Sequence, residues 1–301
     1  MQSEIFDFFG LNTKVCVKSK DDLESIKFFY NEFISLEKNK YDLKIFFNTK
    51  KDGGIMNNFM ENPDFVSCSF CFNGQKPSEW KSKGTILPPL SLPPLNEKFF
   101  LMHGASIVKK NCDEAALIVA EHYQGKTSLT LSSVANFGFQ YLTEDLLVIE
   151  RKLGYIHPLN KPGGIRYRTI PIIEGLKEKL IKTINVKKYI SHITGELDVV
   201  KLNDVYKDSF CKKKKFVKLI IFPHNGKEDF EKPQIKQLNF LDLFEKLSEH
   251  SFANNSSRDE TLKEIIYLLR GVDAYTISYN LLSKESVLKA TKIINDLYDK
   301  C

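Results

Sequence analysis

"AALIVAEHYQGKTSLTL", residues 115–131, decides how this chain is read. The six apolar residues 115–120 make a run of the length of a buried strand. It leads into a loop ending in Gly125-Lys126-Thr127, and the helical pattern that follows stops at Gly138. This order matches the closing half of the phosphate-binding pattern G-x-x-x-x-G-K-[ST]. Ala120 stands where the pattern opens on glycine, and Glu121, His122, Tyr123 and Gln124 fill the interior. The physical parts of such a loop are still present. Backbone amides and the positive end of a helix face an anion, Lys126 adds charge, and Thr127 offers a metal-ligating hydroxyl. Tyr123, Gln124, Gly125, Lys126, Thr127 and Ser128 are the candidate nucleotide-binding residues. Side chains larger than glycine resist positive φ, so the loop is expected to follow a path that avoids it.

Upstream, "KFFLMHGASIV" (98–108) reads as a strand carrying His103, followed by Gly104, Ala105 and Ser106, small enough for close backbone approach. A turn at "KKNCDE" makes this strand a hairpin with 115–120. Downstream, "FQYLT" (139–143) is a strand ending in Glu144-Asp145, and "LLVIERKLGYIHP" (146–158) is a further hairpin. Asp145 follows Lys126 by 19 residues, where carboxylates could hold Mg²⁺ or accept a proton from a hydroxyl. Strand, loop, helix, strand and acidic pair form a layout suited to a metal nucleotide.

The rest of the chain sets the frame. With 301 residues, 42% hydrophobic and 27% charged, it has the composition of a soluble globular protein of one large or two ordinary domains, and no apolar run reaches membrane-spanning length. The opening "MQSEIFDFFGLNTK" does not read as a signal peptide, so a cytoplasmic location is expected. Six scattered cysteines give no disulfide framework. Cys68-x-x-Cys71 supplies two ligands where structural zinc wants four, and "FVSCSFCF" (65–72) reads as a strand. The net charge of +6 is mostly lysine, which does not indicate nucleic-acid readout, and "CKKKKF" reads as the solvated entrance to the strand "FVKLIIFP".

The four prolines of "ILPPLSLPP" (86–94) read as an extended linker. They divide the chain into a small α+β domain, 1–95, and a larger domain, 96–301. The first has a helical pattern in "SKDDLESIKFFYNEFI" and strands at "YDLKIFF" and "FVSCSFCF". The second continues with an amphipathic helix at "LNFLDLFEKLSEHSF", a capping box at Ser257 and Glu260 opening another helix, and a strand at "AYTISYN". A last helix is capped by Ser283.

On "FFLMHGASIV…AALIVAEHYQGKTSLTLSSVANFGFQYLTEDLLVI" the chain resembles the HPr kinase/phosphorylase family and its relatives from peptide-biosynthesis gene clusters. The resemblance spans about residues 96–301 and implies the P-loop fold shared with phosphoenolpyruvate carboxykinase, an α/β fold with α+β mixed sheets. It implies that His103 is the active-site histidine, that Lys126 and Thr127 meet phosphate and metal, and that Glu144 and Asp145 stand for the family's two aspartates. "GGIRYR" resembles a later segment, with Arg166 as its arginine. Two loop glycines have become Ala120 and Tyr123, the first aspartate is Glu144, and Gly164 replaces a glutamate.

By this resemblance the chain is an ATP-dependent serine/threonine (peptide) kinase, using ATP or another nucleoside triphosphate with Mg²⁺ to phosphorylate a peptide or small protein. Thr127 and Asp145 are assigned to the metal, and Arg166 to the transferring phosphoryl. Glu144, oriented by His103, is assigned to the acceptor proton. A homo-oligomer is one assembly the resemblance allows; nucleic-acid and membrane partners are not expected. The alternative is a catalytically degenerate domain that binds peptide as a scaffold.

Overall fold

The computed structural model describes residues 1–37, 39–81, 86–191, 195–226, 232–250, 258–268 and 271–300. It is a mixed α/β structure in two compact units: Met1–Glu97 with Lys188–Asp198, and Lys98–Lys187 with Val199–Cys301.

The first unit opens on a hairpin, β1 (Gln2–Phe8) and β2 (Leu11–Val17), followed by α1 (Lys20–Tyr30), β3 (Leu43–Thr49), α2 (Ile55–Glu61), β4 (Val66–Phe72) and β5 (Ser78–Lys81). The five strands form one sheet in sequence order; β2 and β3 run parallel and the other pairs antiparallel. Ser19 caps α1 by accepting the Asp22 amide. On β4, Cys68 faces the core while Cys71 is half-buried, as residues three apart on a strand must divide.

The proline segment is not extended. Leu87, Leu90, Leu92 and Leu95 are buried, and the last prolines start a single-turn helix, α3 (Pro93–Asn96). Proline suits the first helical positions, where the amide it lacks would have no partner, and the leucines between the prolines supply apolar surface to bury.

In the second unit the elements run β6 (Phe99–Lys109), β7 (Glu114–Val119), α4 (Lys126–Phe137), β8 (Phe139–Thr143), β9 (Leu146–Glu150), β10 (Ile156–His157), β11 (Gly163–Arg166) and α5 (Leu176–Lys182). Then come β12 (Lys187–Ser191) and β13 (Gly195–Val200), most of which belong to the first unit, and α6 (Leu202–Val205). The unit closes with β14 (Phe216–Asn225), β15 (Gln234–Gln237), α7 (Phe240–His250), α8 (Arg258–Leu268), β16 (Asp273–Tyr279) and α9 (Lys284–Lys300). Ser283 accepts the Ser286 amide at the start of α9; Ser257 lies outside the described residues.

An eight-stranded sheet in the order β10-β9-β6-β7-β14-β16-β15, with β8 also on β6, organises this unit. At its centre β7, β14 and β16 are parallel. Alternation along the strands builds two cores. Ala116, Ile118, Leu219, Ile221 and Ile277 pack with Leu129 and Leu131 of α4 and Ile294 and Tyr298 of α9. Ala115, Leu117, Val119, Ile220 and Phe222 pack on the other face with Leu243 and Leu247 of α7 and Ile265 and Leu268 of α8. A central strand buried on both faces has to be apolar throughout, which explains the run at 115–120. Among the described residues no helix is long and apolar enough to cross a membrane.

Candidate functional site

The loop from β7 to α4 emerges at the carboxyl end of the parallel strands, where open α/β sheets place their ligand crevices. Two anchors fix its path. The Gln124 side-chain oxygen accepts the Asn225 amide from the end of β14 at 2.7 Å, and Tyr279 at the end of β16 donates its hydroxyl toward the carbonyls of Gln124 and Gly125. Gly125 is the N-cap of α4 at φ +92°, and a Cβ there would overlap the Tyr279 hydroxyl. Glycine is required here by both conformation and space.

The loop does not avoid positive φ. Tyr123 itself adopts +69°, while Ala120 has no positive φ and is buried at the end of its strand. Glycine is therefore dispensable at 120, and at 123 the left-handed conformation is kept without it. The Tyr123 ring gains a compensating contact: the guanidinium carbons of Arg166 and Arg168 lie 4.0 and 4.5 Å from its centroid.

The acidic pair sits where the edge alongside β6 is interrupted. Both β8 and β9 run antiparallel to β6, β8 against Ser106–Lys109 and β9 against Phe99–His103, and Glu144-Asp145 joins them beside a register shift between Ser106 and Ile107. Such a break re-aims side chains. Gly104 makes it possible: its amide donates to the Asp145 carbonyl, and a Cβ would come within 2.6 Å of Leu147.

The two carboxylates have different surroundings. Glu144 is only 3% exposed; the Thr127 hydroxyl donates to its Oε1 at 2.5 Å, and it lies so close to Gly163 that a Cβ there would stand 2.5 Å from Oε2. Burial pushes its carboxyl above the usual range, more than the Lys126 charge draws it down. The Asp145 side chain is 42% exposed. Lys126 Nζ meets its Oδ1 at 2.7 Å, Lys161 Nζ meets Oδ2 at 3.0 Å, and His103 Nε2 lies 3.2 Å from Oδ1. Although desolvation opposes ionisation, Lys126, Lys161 and His103 outweigh it and hold Asp145 well below the usual carboxylate range. Since that carboxylate is ionised, His103 donates through Nε2. Burial, and then Lys126, lower the His103 pKa, so the ring is neutral at pH 7; the His122 ring, with its pKa also lowered by burial, packs 4.9 Å away.

Sequence reasoning thus named the residues that converge: Gly125, Lys126, Thr127, Glu144, Asp145 and His103, with Arg166 reached through Tyr123. Their pairings differ from expectation. His103 bonds Asp145 rather than Glu144, and Thr127 bonds Glu144 rather than sharing a site with Asp145. Ser128 is buried in the first turn of α4. Lys161, Arg168, Asn225 and Tyr279 were not anticipated. Among the described residues no group of three or more His, Cys, Asp or Glu side chains is placed to hold a metal. The donors present, a hydroxyl and a carboxylate in contact beside a lysine, still suit Mg²⁺, which takes one or two protein oxygens and completes its shell with phosphate and water.

No family model matches the chain, and no curated protein sequence matches it. Among solved structures it is similar to the Hpr(Ser) kinase/phosphatase from Coxiella burnetii, with 12% sequence identity, a TM-score of 0.32, and coverage of 67% of this chain and 99% of that one.

Proposed function

We propose that the chain is a phosphotransferase that binds a nucleoside triphosphate, ATP in the first instance, with Mg²⁺ at the β7–α4 loop, and passes the terminal phosphoryl group to a serine or threonine hydroxyl of a peptide or small protein. The observation that carries this reading is the meeting of Lys126, Thr127, Glu144, Asp145 and His103 at the carboxyl end of three parallel strands. Lys126 and the first amides of α4 neutralise phosphate oxygens. Thr127 and the buried Glu144, already in contact, would hold Mg²⁺, which supplies charge stabilisation to the phosphates. Asp145 faces solvent, oriented by His103, and is the carboxylate an acceptor hydroxyl can reach. This reading gives the two acids the opposite roles from those that the resemblance implied.

A second reading has its own observation. The Lys126 and Thr127 side chains already have partners in Asp145 and Glu144, an arrangement that fits a non-catalytic peptide-binding domain. Calorimetric titration with Mg-ATP separates the two. Saturable binding that needs Mg²⁺ supports the phosphotransferase; absence of heat from the folded protein leaves the scaffold reading.

A further inference from the structure

Tyr123 holds a backbone conformation that favours glycine, and its ring, 39% exposed, receives two guanidinium groups. Arg166 is half-buried at the end of β11 and Arg168 exposed just beyond it. Stacking uses the flat face of a guanidinium and leaves the in-plane N–H fork open, the geometry that matches a phosphate or carboxylate. Lys126 and Lys161 both have a carboxylate partner in Asp145, whereas neither Arg166 nor Arg168 forms a salt bridge among the described residues. Two like charges gathered at one ring without a salt-bridge partner repel each other. The tyrosine positions them and does not neutralise them. Arg166 is also within electrostatic reach of Glu144 and Asp145, which ties the pair to the site already described.

We propose that Arg166 and Arg168, held across the Tyr123 ring, form an oxyanion subsite beside the phosphate loop that takes a phosphoryl or carboxylate group of a substrate. The oxyanion comes either from the terminal phosphate of the triphosphate or from an acidic group on the acceptor. Naming it as a substrate group rests on the phosphotransferase reading; the subsite itself does not. Arg168 is a specificity residue here, and Tyr123 a positioning residue that replaces glycine because its ring is needed.

The sequence contains five arginines, few enough for their Nε–H signals to be followed individually by NMR. Inorganic pyrophosphate is the first probe. Saturable shifts of the Arg166 and Arg168 signals are expected in the wild type, with affinity reduced about tenfold in Arg168→Ala. Arg168→Lys, which keeps the charge but lacks the fork, is expected to remain weak. Tyr123→Phe should retain affinity and the ring-current shifts of both arginines, while Tyr123→Leu should lose both. Mg-ATP and Mg-ADP then locate the source. A loss in Arg168→Ala confined to Mg-ATP assigns the terminal phosphate; unchanged nucleotide affinity with weakened pyrophosphate binding assigns the acceptor side. If pyrophosphate moves neither arginine signal, or Arg168→Ala binds it as the wild type does, the subsite is overturned even where Mg-ATP still binds. Pyrophosphate binding that depends on Arg168 in a protein that does not bind Mg-ATP would keep the subsite and remove the nucleotide reading.

Discussion

The Tyr279 hydroxyl lies 3.3 Å from the carbonyl of Gly125, a residue 154 positions earlier in the chain. One hydroxyl hydrogen is shared between this carbonyl and that of Gln124, clamping the turn that starts α4. Gly125→Ala introduces both a left-handed alanine and an overlap with Tyr279. It is expected to cost about 2–4 kcal/mol and to reduce Mg-ATP affinity at least tenfold. Denaturant unfolding alongside calorimetry reads both.

Lys126→Ala should weaken Mg-ATP binding by tenfold or more. Lys126 is buried against Asp145, so some stability is lost as well. Asp145 keeps Lys161 and His103, which limits that loss to about 1–2 kcal/mol. Unchanged Mg-ATP affinity in the folded variant would remove the loop as a phosphate site.

Asp145→Asn and Glu144→Gln test the exchanged roles. Asp145→Asn is expected to bind Mg-ATP within a fewfold of wild type and to lose phosphoryl transfer by about 10²-fold or more, since an amide cannot take the acceptor proton. Glu144→Gln should instead raise the Mg²⁺ concentration needed for nucleotide binding. The opposite pattern would return the roles to the assignment that the resemblance implies.

Glu144 also makes stability depend on pH. Its folded pKa is raised by burial, so any stability tied to its protonated form is present below the ordinary carboxylate value and is lost as pH rises through the folded one. Glu144→Gln carries no charge at any pH. Its melting temperature relative to wild type should therefore be higher at pH 7 than at pH 4; a difference that stays flat or shrinks over this range would contradict a raised pKa.

Restoring glycine at 120 and 123 addresses the altered loop. Ala120 needs no positive φ, so Ala120→Gly adds freedom to the unfolded chain and removes a buried methyl group, and should lower stability by about 1–2 kcal/mol. Tyr123→Gly relieves about 1–2 kcal/mol of left-handed strain but releases both arginines. The double variant is expected to gain no Mg-ATP affinity. A tenfold gain by calorimetry would mark the loop as decayed.

Much of this arrangement was legible because it is local. The run at 115–120, the Gly125-Lys126-Thr127 helix start and the acidic pair after "FQYLT" each follow from neighbouring residues. Legibility failed where a contact closes over distance. Lys161 lies in "HPLNKPGG", which reads only as a turn, and Asn225 and Tyr279 end strands whose apolar pattern says nothing of the loop beside them. In sequence the two acids are simply neighbouring carboxylates; the Gly163 backbone and Lys161 make their surroundings unlike. At "ILPPLSLPP" the leucines, and not the prolines, decide the packing. The β1–β2 hairpin turns at Phe9-Gly10, both at positive φ, with Asp7 accepting the Gly10 amide, and carries no Asn-Gly signal.

The Tyr279 clamp has a consequence for the order of synthesis. At translation rates of about 5–20 residues per second, the 154 residues between Gly125 and Tyr279 take roughly 8–30 seconds to make. Throughout that interval a nascent chain holds Gly-Lys-Thr without the strand that fixes it, and β7 without β14 and β16 that complete the parallel core. The β7–α4 loop therefore cannot take its clamped form until β16 has been made.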